Sequence, residues 1–184
     1  MNHEGFDADD RYSLPENGYV VIEGIHALNP RLTEGVPDTC KFRVFVEPRA
    51  QLDVFAMTKL SSRTARFLRR LVRDNQFRKV NPVETFRMWP SVLAGEEKWI
   101  DPFRGNADVE FDSALCYELA VLKPYVGGLI QIARKSLGPV LKDSRIPNPD
   151  MLFDLMQMVH ATDPTKVPGD SILRETIGGS QLDY

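Results

Sequence analysis

Three features of the sequence predict an α/β fold built on a parallel sheet. Short strand-like runs occur at 19–23, 42–46 and 107–111, and the first of them, Tyr19-Val20-Val21-Ile22, is continuously apolar, as in a parallel strand buried on both faces. Longer stretches with apolar residues at helical spacing separate and follow them. The first run ends in Glu23-Gly24, an acid at the strand tip, where open α/β sheets bind ligands. The expected architecture is three parallel strands flanked by helices on both faces.

With 184 residues the chain is long enough for one domain with a real core. Apolar residues make up 42% and charged residues 27%, with a net charge of −3. That balance argues against a general nucleic-acid binder, so any basic character is local. Cys40 and Cys116 stand far apart with no CxxC or paired histidine, which argues against a zinc site or a disulfide framework. No run reaches membrane-spanning length, and residues 1–10 are acidic rather than leader-like. The expectation is a cytoplasmic protein without a membrane partner.

Residues 1–18 read as a flexible acidic lead-in that closes on Pro15 and the Asn17-Gly18 turn signal. Tyr19-Val20-Val21-Ile22 is the first strand. Glu23 at its end is either a ligand-facing carboxylate or a loop cap, and His26 taken alone reads as a local hydrogen-bonding residue. After a turn-rich connection, 42–46 is the second strand, with Glu47-Pro48 closing it. Residues 51–60 have helical spacing through Leu52, Phe55 and Ala56. Ser61 or Ser62 is the N-cap candidate for the next helix.

That helix holds the most unusual stretch of the chain, 63–79, RTARFLRRLVRDNQFRK. Arg66, Arg69, Arg70 and Arg73 fall at i, i+3, i+4 and i+7 and share one face, while Phe67, Leu68, Leu71 and Val72 form the apolar side. Asp74 is the lone acid among Arg63, Arg66, Arg69, Arg70, Arg73, Arg78 and Lys79. Like charges at i, i+4 cost a helix roughly 0.2–0.5 kcal/mol per pair. Two readings follow: a solvated face whose arginine stems cover the core, or a clamp for phosphate or carboxylate, which Arg matches with planar, bidentate donors.

Asn81, Pro82 and Glu84 then form a strong helix start. Pro90 should kink this helix, and Gly95 is its candidate C′ residue. Trp89 and Trp99 read as packing residues. After the strand at 107–111, Asp112-Ser113 should cap a helix over 114–123 that Pro124 stops, with a second helix over 125–137. Residues 151–159 form an apolar helix whose methionines read as core filler. The segment 171–179, SILRETIGG, is too patterned for a frayed end.

These stretches together resemble a known family. Val20-Val21-Ile22-Glu23-Gly24-Ile25-His26 is similar to the strand end of the phosphoribulokinase/uridine kinase family of P-loop kinases. Leu68-Arg69-Arg70-Leu71-Val72-Arg73-Asp74 with Arg78 resembles that family's lid helix, and Ala107-Asp108-Val109 the strand after the lid. The run 84–92 with Gly95-Glu96-Glu97-Lys98, and the ending Ser171-Ile172-Leu173-Arg174-Glu175, resemble the bacterial-type uridine kinase-like branch. The resemblance covers about 19–180. It implies a partial doubly wound parallel sheet of the P-loop NTPase type, with an arginine-rich helical lid at 62–95 inside a kinase part at 19–135, and a C-terminal helical extension at 136–184.

It further implies MgATP as cofactor and transfer of the ATP γ-phosphate to a hydroxyl of a nucleoside-like small molecule. Glu23 would hold the magnesium. Arg69, Arg73 and Arg78 would contact ATP, with Arg73 and Arg78 stabilising the transferring phosphates. Arg70 and His26 would meet the acceptor. The sequence departs from the family at Lys79, where glycine usually follows the arginine, at Val80, near which uridine kinases carry another lid arginine, and at Met88, near a polar nucleoside contact. No GxxxxGK[ST] loop occurs, so the chain resembles the C-terminal half of such a kinase. It should be inactive by itself and need a P-loop half, or another partner, over an exposed sheet edge; a homo-oligomer is a further option. Two other readings stay open: a non-catalytic nucleotide- or polyanion-binding module, and a sugar-phosphate kinase like phosphoribulokinase.

Overall fold

The structure is a computed structural model that describes residues 13–49, 53–54, 58–59, 61–137 and 143–182. Its core is helical. Helix α1, Ser62–Arg78, starts where Ser61 adopts an extended backbone and its side chain accepts the Thr64 N–H, closing one of the free donors of the first turn. Phe67, Leu68, Leu71 and Val72 are fully buried. Helix α2, Pro82–Trp99, begins with Asn81 accepting the Val83 N–H and proline at its first position. Phe67 meets Phe86 edge-on at 4.7 Å and Trp89 at 5.2 Å between ring centroids, the arrangement favoured by ring quadrupoles. Helix α2 runs through Pro90 and past Gly95, so Gly95 is not its C′ residue. Trp89 is buried, whereas Trp99 is half exposed.

Helix α3, Glu118–Leu137, is a single element, where the sequence suggested two helices broken at Pro124. Proline at 124 cannot donate to the carbonyl of Ala120. That carbonyl instead accepts the N–H of Thr162 at 3.0 Å, a bond from a distant segment that removes much of the cost of continuing the helix. Helix α3 also starts later than expected, because Asp112 closes a turn onto Ala114 rather than capping a helix there. Helix α4, Pro149–Met158, capped by Asn148, packs on α3 through Leu152, Leu155 and Met156. The short α5, Arg174–Ile177, packs on α1. The segment beyond residue 143 thus belongs to the helical core. Among the described residues, no helix is long and apolar enough to cross a membrane.

The sheet is smaller than expected. Strand β1, Val44–Glu47, pairs in parallel with β4, Val109–Asp112, in the register Val44↔Val109 to Glu47↔Asp112. Two of the three expected strands are therefore present, each shifted by one or two residues, and parallel. The third is not: 19–23 forms no strand, and Tyr19, Val20, Val21 and Ile22 are all more than half exposed. A strand forms only where a neighbour satisfies its backbone groups, and 19–23 pairs with neither β1 nor β4. Nor do helices cover both faces, since every residue of β4 is exposed. Residues 53–54 and 58–59 pair as antiparallel strands β2, Asp53–Val54, and β3, Thr58–Lys59, in place of the helix expected over 51–60. The rest of that stretch, and residues 1–12 of the lead-in, lie outside the described residues. The coarse class is α/β, with a two-stranded parallel sheet beside a helical core.

Candidate functional site: the arginine face of helix α1

Helix α1 presents its arginines along one side, and its first half is neutralised from other helices. Arg63 lies 3.7 Å from Glu97 and 4.0 Å from Asp101. Arg66 donates to Glu96 of α2, which is buried. Arg69 makes a two-pronged bond to the buried Glu118 of α3, with Nε donating to Oε1 and Nη2 to Oε2 at 2.6 Å. Neither acid is near α1 in sequence, where Asp74 is the lone acid. A signal was present: Glu96 continues the Phe86, Trp89, Leu93 stripe of α2, and Glu118 shares the Leu122, Val126 stripe of α3. An acid on an apolar stripe needs a buried partner.

The second half of α1 differs. Arg70 and Arg78 flank one buried carboxylate, Asp74, and Arg73 adjoins it in the helix. Arg78 Nη1 donates to Asp74 Oδ1 at 3.2 Å. Arg70 Nε sits 3.1 Å from Asp74 Oδ2 but is not aligned to donate, so the contact is ionic and the buried Nε has no hydrogen-bond acceptor. Arg73 has no carboxylate within ion-pair distance among the described residues, and its buried Nε is also without an acceptor. Burial, followed by the charges of Arg78 and then Arg70, holds the Arg73 guanidinium below its ordinary pKa, with Asp74 and Glu175 opposing. This half of the face carries uncompensated positive charge and unused, directional donors.

The end of α1 is fixed by Lys79, at φ 55° and ψ 27°, a left-handed conformation. The N–H groups of Lys79 and Val80 both donate to the Asp74 carbonyl. Asp74 therefore organises the arginines with its side chain and closes the helix with its backbone. Left-handed geometry after a helix favours glycine, the residue that the resembling family carries at this place.

Glu23 and His26 are exposed. Glu23 precedes Gly24, whose φ of 154° is a backbone that other residues rarely adopt. Among the described residues no hydrogen bond or ion pair joins Glu23 or His26 to α1. Four of the sequence-predicted site residues, Arg69, Arg70, Arg73 and Arg78, thus lie on one helix, while Glu23 and His26 lie on a separate segment. That segment is tied instead to the turn before β4, where Asn106 Nδ2 donates to the Leu28 carbonyl at 3.3 Å.

The C-terminal ends of β1 and β4 hold a second charged cluster. Arg104 bridges Glu47 at 2.7 Å and Glu110 at 2.7 Å, and Arg49 pairs with Glu110 and lies 3.4 Å from Glu47. Asp112 Oδ1 accepts the N–H groups of Ala114 and Arg49 at 2.9 and 2.8 Å. The Ala114 bond, then the Arg49 bond, holds the Asp112 carboxyl below its ordinary range. A shallow cavity of about 330 Å³ lies elsewhere, lined by Pro30, Arg31, Glu34, Val36, Asp38 and Lys41, away from the arginine face. Among the described residues, no three His, Cys, Asp or Glu side chains converge as a metal cage. Comparison with protein-family models, with curated proteins and with solved structures returned no match.

Proposed function

We propose that the chain is the lid-bearing portion of an ATP-dependent phosphotransferase of the phosphoribulokinase/uridine kinase type, acting on a hydroxyl of a nucleoside-like small molecule. The observation that carries this reading is the Arg70–Arg73–Arg78 group: the guanidiniums of Arg70 and Arg78 share the one buried carboxylate of Asp74, and Arg73 has a buried, unused donor. Phosphoryl transfer relies on such preorganised positive donors, because the protein's main task is to position and neutralise the phosphates. Arg73 and Arg78 would line the transferring phosphates and Arg70 the acceptor. Arg69 supports the lid through Glu118 in addition to any contact with ATP. The left-handed Lys79 supports the resemblance, since it supplies a physical reason for the family's glycine at that place.

Magnesium keeps several waters and takes one or two carboxylates together with substrate phosphates, so a single exposed Glu23 fits it without a cage. The phosphate-cradling loop would come from a unit that docks on the sheet. Val44, Val46 and Phe111 on the strands, and Tyr19, Val21 and Ile22 on the earlier segment, expose apolar surface that such a unit would cover. The experiment is calorimetric titration of the full chain with MgATP at low salt. Binding that Arg73→Ala removes and Arg66→Ala retains supports the reading, and equal binding by both variants overturns it.

A second reading, a non-catalytic module for nucleotide or another polyanion, is favoured by the lack, among the described residues, of any bond between Glu23 and the arginine face. It requires steep salt dependence of polyanion binding and no transfer in any reconstituted complex.

A further inference from the structure

Arg78 does not share the arginine face by spacing alone. Arg66, Arg69, Arg70 and Arg73 fall within an arc of about 100° around α1, whereas Arg78 stands about 80° beyond Arg70, toward the side that carries Phe67 and Leu71. Asp74 lies midway, about 40° from each, one turn after Arg70 and one turn before Arg78. Its carboxylate is divided between them: Arg78 Nη1 donates to Oδ1 at 3.2 Å, and Arg70 Nε sits 3.1 Å from Oδ2. The Asp74 side chain is 2% exposed and that of Arg78 is 52% exposed, so a buried acid anchors a guanidinium that is open to solvent. Among the described residues neither Arg70 nor Arg78 makes any other hydrogen bond or ion pair, which leaves both Nη groups of Arg70, and Nε and Nη2 of Arg78, for a ligand. The Asp74 carbonyl, by accepting the N–H groups of Lys79 and Val80, also fixes the turn that carries Arg78.

We infer that Asp74 is a positioning residue of the phosphate site: it draws Arg78 around the helix onto the arginine face, where the guanidinium joins Arg70 and Arg73 in holding an anionic ligand. Asp74 then acts on an anion in two opposite ways. Its own charge repels the ligand, while the guanidinium it holds attracts it. A long side chain left free must be ordered when a ligand binds, and Arg78, already tied to a buried carboxylate, needs less ordering. The second effect is the larger one if Asp74 is there to set geometry. The inference rests on the reading of this face as a phosphate site and adds what shapes it.

The test is calorimetric titration of the full chain with inorganic pyrophosphate at low salt, with folding checked by circular dichroism. Arg78→Ala should weaken binding about fivefold, the upper range for one solvent-exposed ion pair. Asp74→Ala should weaken it by a similar factor, although it makes the site more positive. In the Arg78→Ala background the same Asp74→Ala change should tighten binding, because only its repulsion is then left to remove. Tighter or unchanged binding by Asp74→Ala in the parent chain overturns the positioning role, and so does an equal weakening with and without Arg78. Parent-like binding by Arg78→Ala overturns it as well, whether or not Asp74→Ala folds. In each of these cases weaker binding by Arg73→Ala leaves the phosphate site standing. Parent-like binding by Arg73→Ala overturns the site itself.

Discussion

Arg69 on α1 and Glu118 on α3 form a two-pronged ion pair inside the helical core, with Glu118 only 2% exposed. The pair answers a problem posed by the sequence, which places like charges at i, i+4 on a helix of a net acidic protein. The compensating anions are on other helices, at Glu96 and Glu118.

Breaking the pair from one side should be costly. Glu118→Ala leaves a guanidinium in the core without its partner, and such changes cost about 3–5 kcal/mol. Replacing both members, Arg69→Met with Glu118→Leu, should cost much less, because no charge is left unpaired. Urea unfolding of the two variants measures the difference, and equal losses for the single and double variants would show that the pair contributes nothing specific.

The left-handed Lys79 gives a prediction of opposite sign. A non-glycine residue in this conformation carries about 1 kcal/mol of strain, partly offset in glycine by greater freedom of the unfolded chain. Lys79→Gly should therefore stabilise the protein by about 0.5 kcal/mol, read as a higher urea midpoint at unchanged slope. A lower midpoint would mean that the lysine side chain makes a compensating contact.

What was legible in the sequence was local. The Ser61 and Asn81 caps, the buried side of α1, the start of α2 and two of the strands rest on signals within a few residues of each other. Pro124 misled because the bond that rescues its helix comes from Thr162, which no window around the proline contains. The run 19–23 misled for a related reason: an apolar pattern records suitability for a buried strand, not the presence of a neighbour. At the site, the shared face of Arg69, Arg70, Arg73 and Arg78 followed from helical spacing. Its division into a neutralised and an open half depends on Glu96 and Glu118, and so on tertiary packing.

Asp112 ties the end of β4 to the backbone after β1, and its carboxyl titrates below the ordinary range. Its folded value lies under its unfolded one, so its contribution is complete above the unfolded value, about 3.9. It is lost as pH falls through the folded value. Acidification below about pH 4 should thus lower the protection of the Arg49 and Ala114 amides, relative to their intrinsic exchange rates, before the helical core responds, and Asp112→Ala should do so at neutral pH. Unchanged protection of both amides in Asp112→Ala would refute the tie.

The proposed chemistry predicts different outcomes for the chain alone and for a completed enzyme. With no phosphate-cradling loop in its sequence, the purified chain should not transfer phosphate from MgATP to a nucleoside. Co-expression with a P-loop unit from a kinase of the resembling family should cover the exposed sheet and restore transfer. In that complex Arg73→Ala should slow transfer by about 10²–10³-fold, the effect of removing one preorganised donor. Arg70→Ala should act mainly through the acceptor. Arg66→Ala strands the buried Glu96 instead, so it should lose about 1–3 kcal/mol of stability and little rate per folded molecule. Steady-state transfer, normalised to the folded fraction from circular dichroism, separates these effects. Equal loss in all three variants would reduce the face to a general basic surface, and turnover by the lone chain would show that its phosphates are held by groups other than a P-loop.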